Sequence, residues 1–560
     1  MKLFRIVLVC AFFLTAPATA CADLDFRTGP PDGIQTTTAT LADVLALNAK
    51  AEGKRLDSFA SRIEEWNINT SSFNIVQKSM WAGRDYKMVS SYGSFAQKEG
   101  RIGGVRWEQN ENGITVIMGG LHPEVDDFEQ AMSAAHRGAP GDAVKLLGEI
   151  ATPAAYVIEV RPGSDPPTWL FIDKTSGLIV REESVFNWVR TTTTYSDFKT
   201  ISGATIAGKV QDTNGDPSGD DTQTLVSLHV NVPVTPADLN IPSSRRDVVQ
   251  FPAGATSVQL PARLPLPADK PVLLDRDYAA PSGSFRQHIV VRVMINGRGL
   301  DFALDSGAGN ILIDQTVAGQ LGLKAYGENG EAQKGESGPS HVIIPEMHIG
   351  DLVMKDVVAS QVPFTMRTAD TEQVVGLLGF DFIATLNLKV DWDKGQVIAY
   401  PAGTMQMPAT SVTLPLRLDD YVPAIPVSVG EVASDRFILD TGSGGVLIFS
   451  EFAKQHQDML RDEGMGKQIQ RIVPDLPLGV VGGTALAYPV QAKRIVFGVP
   501  FSEFLVNVIE PDSRYGWQDT DGLIGYPFLH YFNLYFDYPN SRIVLEPNDQ
   551  FRNAKHVPAH

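Results

Sequence analysis

The chain has little cysteine, no excess of basic charge and no long apolar segment beyond its first residues. Only two of its 560 residues are cysteines, Cys10 and Cys21. Lysine and arginine total 47 against 65 aspartates and glutamates, and this net charge of −18 disfavours a surface that binds nucleic acid. No later segment approaches the roughly 18 consecutive apolar residues of a membrane span, so we expect no transmembrane segment in the mature chain.

The first twenty residues are typical of an export signal. Lys2 and Arg5 precede an apolar stretch over residues 6–14, and small residues follow at 18–20. We predict a signal peptide over residues 1–20 and a periplasmic or secreted mature protein. Cys21 would then have no internal disulfide partner. Two alternatives stay open for it: a lipid anchor, although Ala18 is smaller than is usual at such sites, or secretion without lipidation.

The region after the signal predicts an α+β accessory domain over residues 22–232. From Ala39 to Trp66 apolar residues recur at helical spacing, interrupted by Gly53, and a second helix is expected near residues 123–136. Several short segments alternate between apolar and polar residues, which predicts antiparallel strands in an open curved sheet. The expected strands include 72–77, 86–91, 113–118, 155–161, 169–173 and 178–182.

The segments 168–183 and 191–206 resemble the periplasmic lipoprotein-carrier fold in their order of strand, turn and strand. The resemblance implies a concave apolar surface that takes a lipid, a lipoprotein or a hydrophobic peptide. A purely structural or targeting role is the alternative. In the acidic loop 212–221 oxygen donors alternate, but the flanking helices and distal glutamate of a calcium loop are missing, so we predict a solvated turn and no metal site.

Proline marks the next boundary. Nine of the 36 prolines fall between residues 233 and 281, which predicts a connector over 233–280. Its alternating pieces could add edge strands to the domain that follows.

The second half of the chain repeats one pattern. Segment 302–313 aligns without gaps with 437–448, and seven of the twelve positions are identical. Segment 376–391 likewise aligns with 522–537. We predict two β lobes built on one plan, which we call the first repeat (281–402) and the second repeat (411–548), followed by a tail over 549–560.

Each repeat delivers an acidic residue into a tight turn. An apolar strand leads into Asp305 in the first repeat and Asp440 in the second, and a glycine follows two positions later, at Gly307 or Gly442. We expect these glycines to permit backbone angles that other residues avoid. A carboxylate on such a turn is costly unless it is hydrogen-bonded, and costlier when a second carboxylate faces it.

The motif Asp-Ser/Thr-Gly, followed about 75 to 85 residues later by two aliphatic residues and a glycine, resembles the pepsin and retropepsin superfamily of aspartic proteases. The resemblance covers roughly residues 285–547. It implies a mainly-β bilobal fold of two pseudo-symmetric barrels, which would follow the α+β N-terminal domain in a multidomain chain. It also implies a set of site residues with defined roles: Asp305 and Asp440 as the catalytic pair, Ser306 and Thr441 as hydroxyls that join the two turns, and Gly379 and Gly525 beneath them.

Charge suggests how such a pair acts. Two carboxylates about 3 Å apart hold a single proton over a wide pH range, the arrangement known from aspartic proteases. The ionised carboxylate takes a proton from a shared water and the protonated one donates to the scissile carbonyl oxygen, with no cofactor or metal required. Because Ser443 can donate to Asp440 while Ala308 cannot do so for Asp305, we predict that Asp440 more often carries the charge. Loop 327–339, with Tyr326 at its base, is the candidate flap.

These patterns lead to two hypotheses from different classes. The first is an exported aspartic endopeptidase that acts on a polypeptide substrate. The alternative is a cell-envelope protein that binds a lipid or lipoprotein and uses the protease-like lobes as a non-catalytic scaffold. Under the first hypothesis, the accessory domain could recruit substrate or restrain the enzyme as a pro-segment, and the sequence does not choose between these roles.

Overall fold

The structure, a computed structural model, is dominated by β-sheets and contains few helices. It describes residues 27, 29–70, 73–118, 124–136, 138–162, 167–186, 189–215, 220–265, 284–285, 288–326, 340–364, 366–368, 373–419, 421–456, 460–461, 476–480, 483–509 and 520–553. The predicted signal, both cysteines and the candidate flap 327–339 lie outside these residues. No helix in the described ranges combines the length and the apolar character needed to span a bilayer.

The helices of the described residues are short. In the described residues two α-helices belong to the N-terminal region, four to the two repeats and one to the tail, and 3-10 turns cover Leu56–Ser58 and Tyr538–Asn540. The α-helices are α1 (Leu41–Glu52), α2 (Glu124–His136), α3 (Gln315–Gln320), α4 (Phe380–Ile383), α5 (Ser450–Gln455), α6 (Tyr526–Leu529) and α7 (Asp549–Asn553).

The N-terminal region contains fifteen strands in its described residues. Thirteen form one antiparallel sheet in the order β6-β5-β4-β3-β2-β1-β15-β14-β11-β10-β9-β8-β7, and β12 pairs with β13. The strands are β1 (Ser61–Thr70), β2 (Asn74–Ala82), β3 (Asp85–Tyr92), β4 (Phe95–Ile102), β5 (Val105–Gln109), β6 (Thr115–Ile117), β7 (Val144–Ile150), β8 (Ala155–Val160), β9 (Thr168–Asp173), β10 (Ile179–Phe186), β11 (Val189–Ser196), β12 (Lys199–Ile201), β13 (Ala204–Ile206), β14 (Lys209–Thr213) and β15 (Asp221–Val230).

The first helix is shorter than predicted. Helix α1 begins after Thr40, whose hydroxyl accepts a hydrogen bond from the N–H of Asp43. It ends at Gly53, which adopts a positive φ of 68° that stops the helical path. Residues after 60 then form β1, because Trp66 and Ile68 are buried at the two-residue spacing of a strand. The prediction of helix up to Trp66 was therefore wrong, whereas α2 lies where it was expected.

The connector and the two repeats contribute twenty-six strands in the described ranges. Those up to the end of the first repeat are β16 (Val249–Gln250), β17 (Val258–Gln259), β18 (Ala262–Arg263), β19 (Ser284–Phe285), β20 (Val290–Ile295), β21 (Arg298–Leu304), β22 (Leu312–Asp314), β23 (Ala325–Tyr326), β24 (Ser340–Ile349), β25 (Leu352–Val362), β26 (Met366–Thr368), β27 (Gln373–Leu378), β28 (Leu386–Asp391) and β29 (Gln396–Pro401). Those of the second repeat are β30 (Val412–Pro415), β31 (Arg417–Asp419), β32 (Val422–Val429), β33 (Val432–Leu439), β34 (Val446–Ile448), β35 (Leu460–Arg461), β36 (Leu476–Val480), β37 (Gly483–Phe497), β38 (Val499–Ile509), β39 (Gly522–Ile524), β40 (Phe532–Asp537) and β41 (Arg542–Pro547).

These strands form three sheets in the described part of the chain. An eleven-stranded sheet is built by the first repeat and parts of the connector, and a nine-stranded sheet by the second repeat. The third sheet has six strands in the order β17-β29-β28-β40-β41-β30, so it draws on both repeats. At its centre β28 runs antiparallel to β40, with Leu388 opposite Phe536. The two repeats therefore share one continuous sheet.

Part of the proline-rich connector belongs to these sheets. Strand β16 pairs with β25, β17 with β29 and β18 with β20, all in antiparallel register. Residues 249–263 consequently supply edge strands to the sheets of the repeats.

The N-terminal region also enters the core of the repeats. Ile114 and Val116, from the β5–β6 hairpin, are buried in the same hydrophobic cluster as Phe302 and Leu304 of the first repeat. Val358 of β25 packs in turn into an N-terminal cluster that contains Phe73. The hydrophobic cores of the two regions are thus continuous.

Candidate active site

The two aspartate turns occupy equivalent positions in the two repeats. Strand β21 leads into Asp305 and pairs in parallel with β27, and β33 leads into Asp440 and pairs in parallel with β39. The N–H of Asp305 donates to the carbonyl of Leu378 at 3.1 Å, and that of Asp440 donates to the carbonyl of Ile524 at 2.9 Å. Each aspartate is therefore fixed to the aliphatic segment of its own repeat.

Reciprocal hydrogen bonds join the two turns. The N–H of Ser306 donates to the Thr441 hydroxyl at 3.0 Å, and the N–H of Thr441 donates to the Ser306 hydroxyl at 3.0 Å. Each hydroxyl then donates across to the other repeat, Ser306 to the carbonyl of Leu439 at 2.7 Å and Thr441 to that of Leu304 at 2.8 Å. Both side chains are buried, so these four bonds hold the turns in a single relative position.

The carboxyl groups of Asp305 and Asp440 are close enough to hydrogen-bond to each other. The glycine of each turn faces the aspartate of the other: a Cβ atom on Gly307 would lie 2.6 Å from Cγ of Asp440, and one on Gly442 would lie 2.4 Å from Cγ of Asp305. Neither glycine has a positive φ. The expected reason for these glycines was therefore wrong, because they are needed for space beside a carboxylate and not for unusual backbone angles.

Burial and mutual proximity perturb both acids. The pKa of Asp305 is raised well above its ordinary value, first by burial and then by the charge of Asp440. Burial also raises the pKa of Asp440, while the hydrogen bond from Asp305 and the N–H groups of Gly442 and Ser443 lower it. The pair therefore ionises in two steps that belong to both carboxyl groups together.

The side chain of Ser443 does not act as expected. Its hydroxyl donates to the carbonyl of Gly445 at 3.3 Å and accepts from the N–H of Gly445 at 3.2 Å. Only the backbone N–H of Ser443 supports the Asp440 carboxylate, and the N–H of Ala308 does the same for Asp305. The predicted hydroxyl-to-carboxylate bond is therefore replaced by a bond that closes the turn of Ser443, and this position does not distinguish the two acids.

Gly379 and Gly525 lie against the backs of the turns. A Cβ atom on Gly379 would lie 2.1 Å from the carbonyl oxygen of Asn310, and one on Gly525 would lie 2.1 Å from that of Gly445. The next residue in each repeat donates its N–H to the turn, Phe380 to Ala308 and Tyr526 to Ser443, both at 2.9 Å. Only glycine allows this close approach of the two backbones.

Ring contacts between the repeats were not predicted from the sequence, although the alignment contains their signal. The 146-residue offset relates Phe380 to Tyr526 and Trp392 to Tyr538. Each ring packs across to the other repeat, Phe380 on Tyr538 at 6.3 Å and Tyr526 on Trp392 at 5.6 Å between ring centroids.

A polar contact crosses between the repeats in the same way. Asn387 donates to Asp537 at 2.6 Å, and the N–H of Trp392 donates to Asn533 at 2.8 Å. The aligned asparagines, Asn387 and Asn533, therefore both hold the opposite repeat.

Tyr326, at the base of the candidate flap, packs on Phe95 of the N-terminal region, with ring centroids 5.4 Å apart.

The described residues contain no group of three or more histidine, cysteine, aspartate or glutamate side chains placed to hold a metal ion. At the two ends of the acidic loop, Asp212 on β14 lies opposite Asp221 on β15, and both carboxyl groups accept a hydrogen bond from the side-chain amide of Gln223.

Comparisons with known proteins point to the same part of the chain. The sequence model of the aspartyl protease family matches residues 291–382, which include Asp305 and Gly379, and so supports an aspartyl protease domain here. No curated protein matches the chain.

Three solved structures are similar to the N-terminal region. A DUF1329 family protein from Desulfovibrio piger is 12% identical, with 36% of this chain and 98% of that chain covered and a TM-score of 0.27. A putative outer membrane lipoprotein-sorting protein domain from Vibrio parahaemolyticus is 14% identical, with 35% and 94% covered and a TM-score of 0.26. A LolA superfamily protein from Nitrosomonas europaea is 11% identical, with 36% and 99% covered and a TM-score of 0.27.

Proposed function

We propose that the protein is an exported aspartic endopeptidase in which Asp305 and Asp440 activate one water to hydrolyse peptide bonds. In this proposal residues 1–20 are removed as a signal, residues 22–232 form the accessory domain, and the lobes 281–402 and 411–548 face each other in a pepsin-like arrangement. The mature protein would act in the periplasm or outside the cell.

The observation that carries the proposal is the contact between the carboxyl groups of Asp305, which is buried, and Asp440, which is half-buried, on turns that four hydrogen bonds join across the repeats. A structural role for either acid would favour a cationic partner or a separate position, because two adjacent buried carboxylates destabilise each other. The glycines opposite them, Gly307 and Gly442, leave room for this contact and for little else. Such an arrangement suits a site that must hold one proton between two acids.

The chemistry follows from the protonation of the pair. Asp440, as the ionised partner, takes a proton from the shared water, and the resulting hydroxide attacks the scissile carbonyl carbon. Asp305 donates its proton to the carbonyl oxygen, which gives a neutral tetrahedral intermediate. Asp440 then returns its proton to the departing nitrogen as the C–N bond breaks, and Asp305 takes a proton back from one hydroxyl of the intermediate, which gives the new carboxylic acid and restores the pair. Ser306 and Thr441 act by holding the two carboxyl groups in place.

Cleavage of a peptide library between pH 3 and pH 8 tests the proposal. We expect wild-type protein to cleave, and Asp305→Asn and Asp440→Asn each to lower kcat by about 10²–10⁴-fold, because each removes one member of the acid–base pair. Asp356→Asn is the matched control, since Asp356 is exposed and adopts a positive φ of 51° that asparagine also tolerates. Cleavage by either dyad variant at close to the wild-type rate would contradict the proposal.

One observation favours the binding hypothesis for the accessory domain as a second function. A cavity of about 220 Å³ lies in the N-terminal region, and its lining combines apolar side chains with basic and acidic ones. The apolar side chains include Trp66, Trp81, Met88, Phe128 and Met132, and two of the lining arginines, Arg55 and Arg62, pair with the lining acids Asp57 and Glu64. The apolar part of this lining suits an acyl chain. A fluorescent fatty acid should therefore bind wild-type protein and bind Met132→Trp more weakly, and equal binding by the two proteins would count against this site.

A further inference from the structure

The tip of the β5–β6 hairpin reaches the first repeat immediately behind the Asp305 turn. Asn110 and Asn112 at this tip are each only 4% exposed. The side-chain oxygen of Asn110 accepts a hydrogen bond from the N–H of Ile114 at 3.0 Å, which closes the hairpin turn. The side-chain nitrogen of Asn110 donates to Oδ1 of Asp381 at 2.7 Å. Asn110 therefore connects the fold of its own hairpin to a carboxylate of the first repeat.

Asp381 passes this contact on to the aspartate turn. It lies on α4, two residues after Gly379, and is completely buried. Its Oδ2 accepts from the N–H of Ile311 at 3.1 Å, and Ile311 is where the Asp305 turn ends and β22 is about to begin. Two consecutive hydrogen bonds thus run from the hairpin through one carboxylate to the turn that holds Asp305.

Asn112 fixes the hairpin against β25 of the first repeat, in addition to its hydrogen bond to Asp381. Its side chain donates to the carbonyl of Val358 at 2.9 Å and accepts from the N–H of Val358 at 2.8 Å. Ile114, 3% exposed, is anchored in the hydrophobic core of the repeats. Asn110 is therefore presented to Asp381 by a hairpin whose own position is already determined.

The second repeat has no counterpart of this connection in its described residues. The 146-residue offset between the aliphatic-Gly segments places Pro527 at the position of Asp381. Proline has no side-chain acceptor for a turn N–H. Among the described residues, the contact is therefore specific to the turn of Asp305.

We propose that Asn110 is a positioning residue that holds the Asp305 turn through Asp381, so that the accessory domain is an activating part of the enzyme and not a removable inhibitory segment. This inference rests on the proposed function. It assigns the N-terminal region a role in catalysis that does not depend on any ligand in its cavity.

Titratable neighbours of Asp381 affect how the contact can be tested. Burial raises the pKa of Asp381 to about 7, while the hydrogen bonds from Asn110, Asn112 and Ile311 oppose this shift. Glu111, on the same hairpin tip, adds a negative charge nearby and itself faces His341 of β24 at 3.5 Å. Loss of the Asn110 amide donor should therefore have its largest effect at the upper end of the active pH range.

The test compares three variants at both ends of the pH range in which wild-type protein cleaves a peptide. Asn110→Asp keeps an acceptor for Ile114 but places a second carboxylate against Asp381. We expect its kcat to fall about tenfold or more at the upper end and to recover at the lower end, where the two acids can share a proton, with KM unchanged throughout. In the double variant Asn110→Asp with Asp381→Asn, the side chain at 381 donates and the one at 110 accepts. The hydrogen bond is thus restored in the opposite direction, and the lost kcat should be recovered. Asn240→Asp, an exposed change of the same kind, should match wild type.

Hydrogen exchange gives a readout that needs no activity. The amide of Ile311 should exchange faster in Asn110→Asp than in wild type, while residues 440–446 of the second turn exchange equally in both. If Ile311 exchanges faster in Asn110→Asp but wild-type protein cleaves no peptide, the proposed function is rejected while the connection from Asn110 to the Asp305 turn is supported. Unchanged kcat and unchanged exchange in Asn110→Asp would overturn the positioning role. If that variant does not fold, a folded double variant with wild-type kcat supports the role, and one that remains slow contradicts it.

Discussion

At the residue scale, Asp305 and Asp440 lower the stability of the fold at the pH where the pair must be ionised. In the folded state the pKa of Asp305 lies well above its unfolded value of about 4, because the carboxyl group is buried beside Asp440. A raised folded pKa contributes stability that is fully present below the unfolded pKa. That contribution is lost as the pH rises toward the folded pKa. The acid pair therefore favours folding at pH 3 and opposes it at pH 7.

Replacing Asp305 by asparagine should relieve this cost. The side-chain amide introduced by Asp305→Asn can still accept from the N–H of Gly307, as the Asp305 carboxyl does at 2.9 Å, and can donate to Asp440 at any pH. We expect Asp305→Asn to raise Tm at pH 7 and to leave it nearly unchanged at pH 3, measured by calorimetry alongside the exposed control Asp356→Asn. An equal decrease in Tm at both pH values would show that the pair is not strained by its charge.

At the element scale, the two turns act as one unit because their hydroxyl groups cross between the repeats. The Thr441 hydroxyl both accepts from the N–H of Ser306 and donates to the carbonyl of Leu304. Removing it leaves two backbone groups without these partners in a place that is closed to water. The geometry of the acid pair thus depends on a threonine that does not itself exchange protons with substrate.

Thr441→Val should lower the free energy of unfolding by about 1–3 kcal/mol, since the shape is kept and the hydroxyl is lost. We also expect a lower kcat, because the two carboxyl groups are no longer held together. Denaturant titration and peptide cleavage should show both effects. Thr441→Ser keeps the hydroxyl and should behave almost like wild type. Thr200→Val, at an exposed position, should change stability by less than about 0.5 kcal/mol. A valine variant that matches wild type would mean that the turns are held by other contacts.

Comparison of these elements with the sequence shows what one amino-acid sequence can predict. The repeated sequence pattern identified Asp305 and Asp440 as equivalent positions and matched each to an aliphatic-Gly segment, because the two copies align without gaps. It could not predict why Gly307 is a glycine, because the reason is the carboxylate of the other repeat. The bond of the Ser443 hydroxyl to Gly445 escaped prediction for a related reason, since two acceptors were within reach and only the turn geometry selects one.

At the scale of the whole molecule, the N-terminal region and the repeats share a hydrophobic core. Ile114 from the β5–β6 hairpin is 3% exposed within the cluster that contains Phe302. Hydrogen bonds from Asn110 and Asn112 to Asp381 and Val358 accompany this packing. The sequence could place this hairpin among the strands of its own sheet, but contacts between regions so far apart along the chain leave no local pattern.

The shared core predicts that the chain unfolds as one cooperative unit. We expect a single calorimetric transition, and Ile114→Ala should lower the free energy of unfolding by about 2–5 kcal/mol and shift the whole transition. Ile117→Ala is the matched control on the same hairpin, because Ile117 is 54% exposed. Two separate transitions, with Ile114→Ala shifting only one of them, would show that the regions are independent.

The central claim is that Asp305 and Asp440 together activate one water to break a peptide bond. Its most direct test is cleavage of a single peptide substrate in water enriched in ¹⁸O, with wild type, Asp305→Asn and Asp440→Asn compared at the pH of highest activity. The account predicts one ¹⁸O atom in each new carboxyl terminus from wild type and a rate at least about 10²-fold lower for either folded variant. Cleavage by either variant at close to the wild-type rate, or no cleavage by folded wild-type protein across the library, would contradict it.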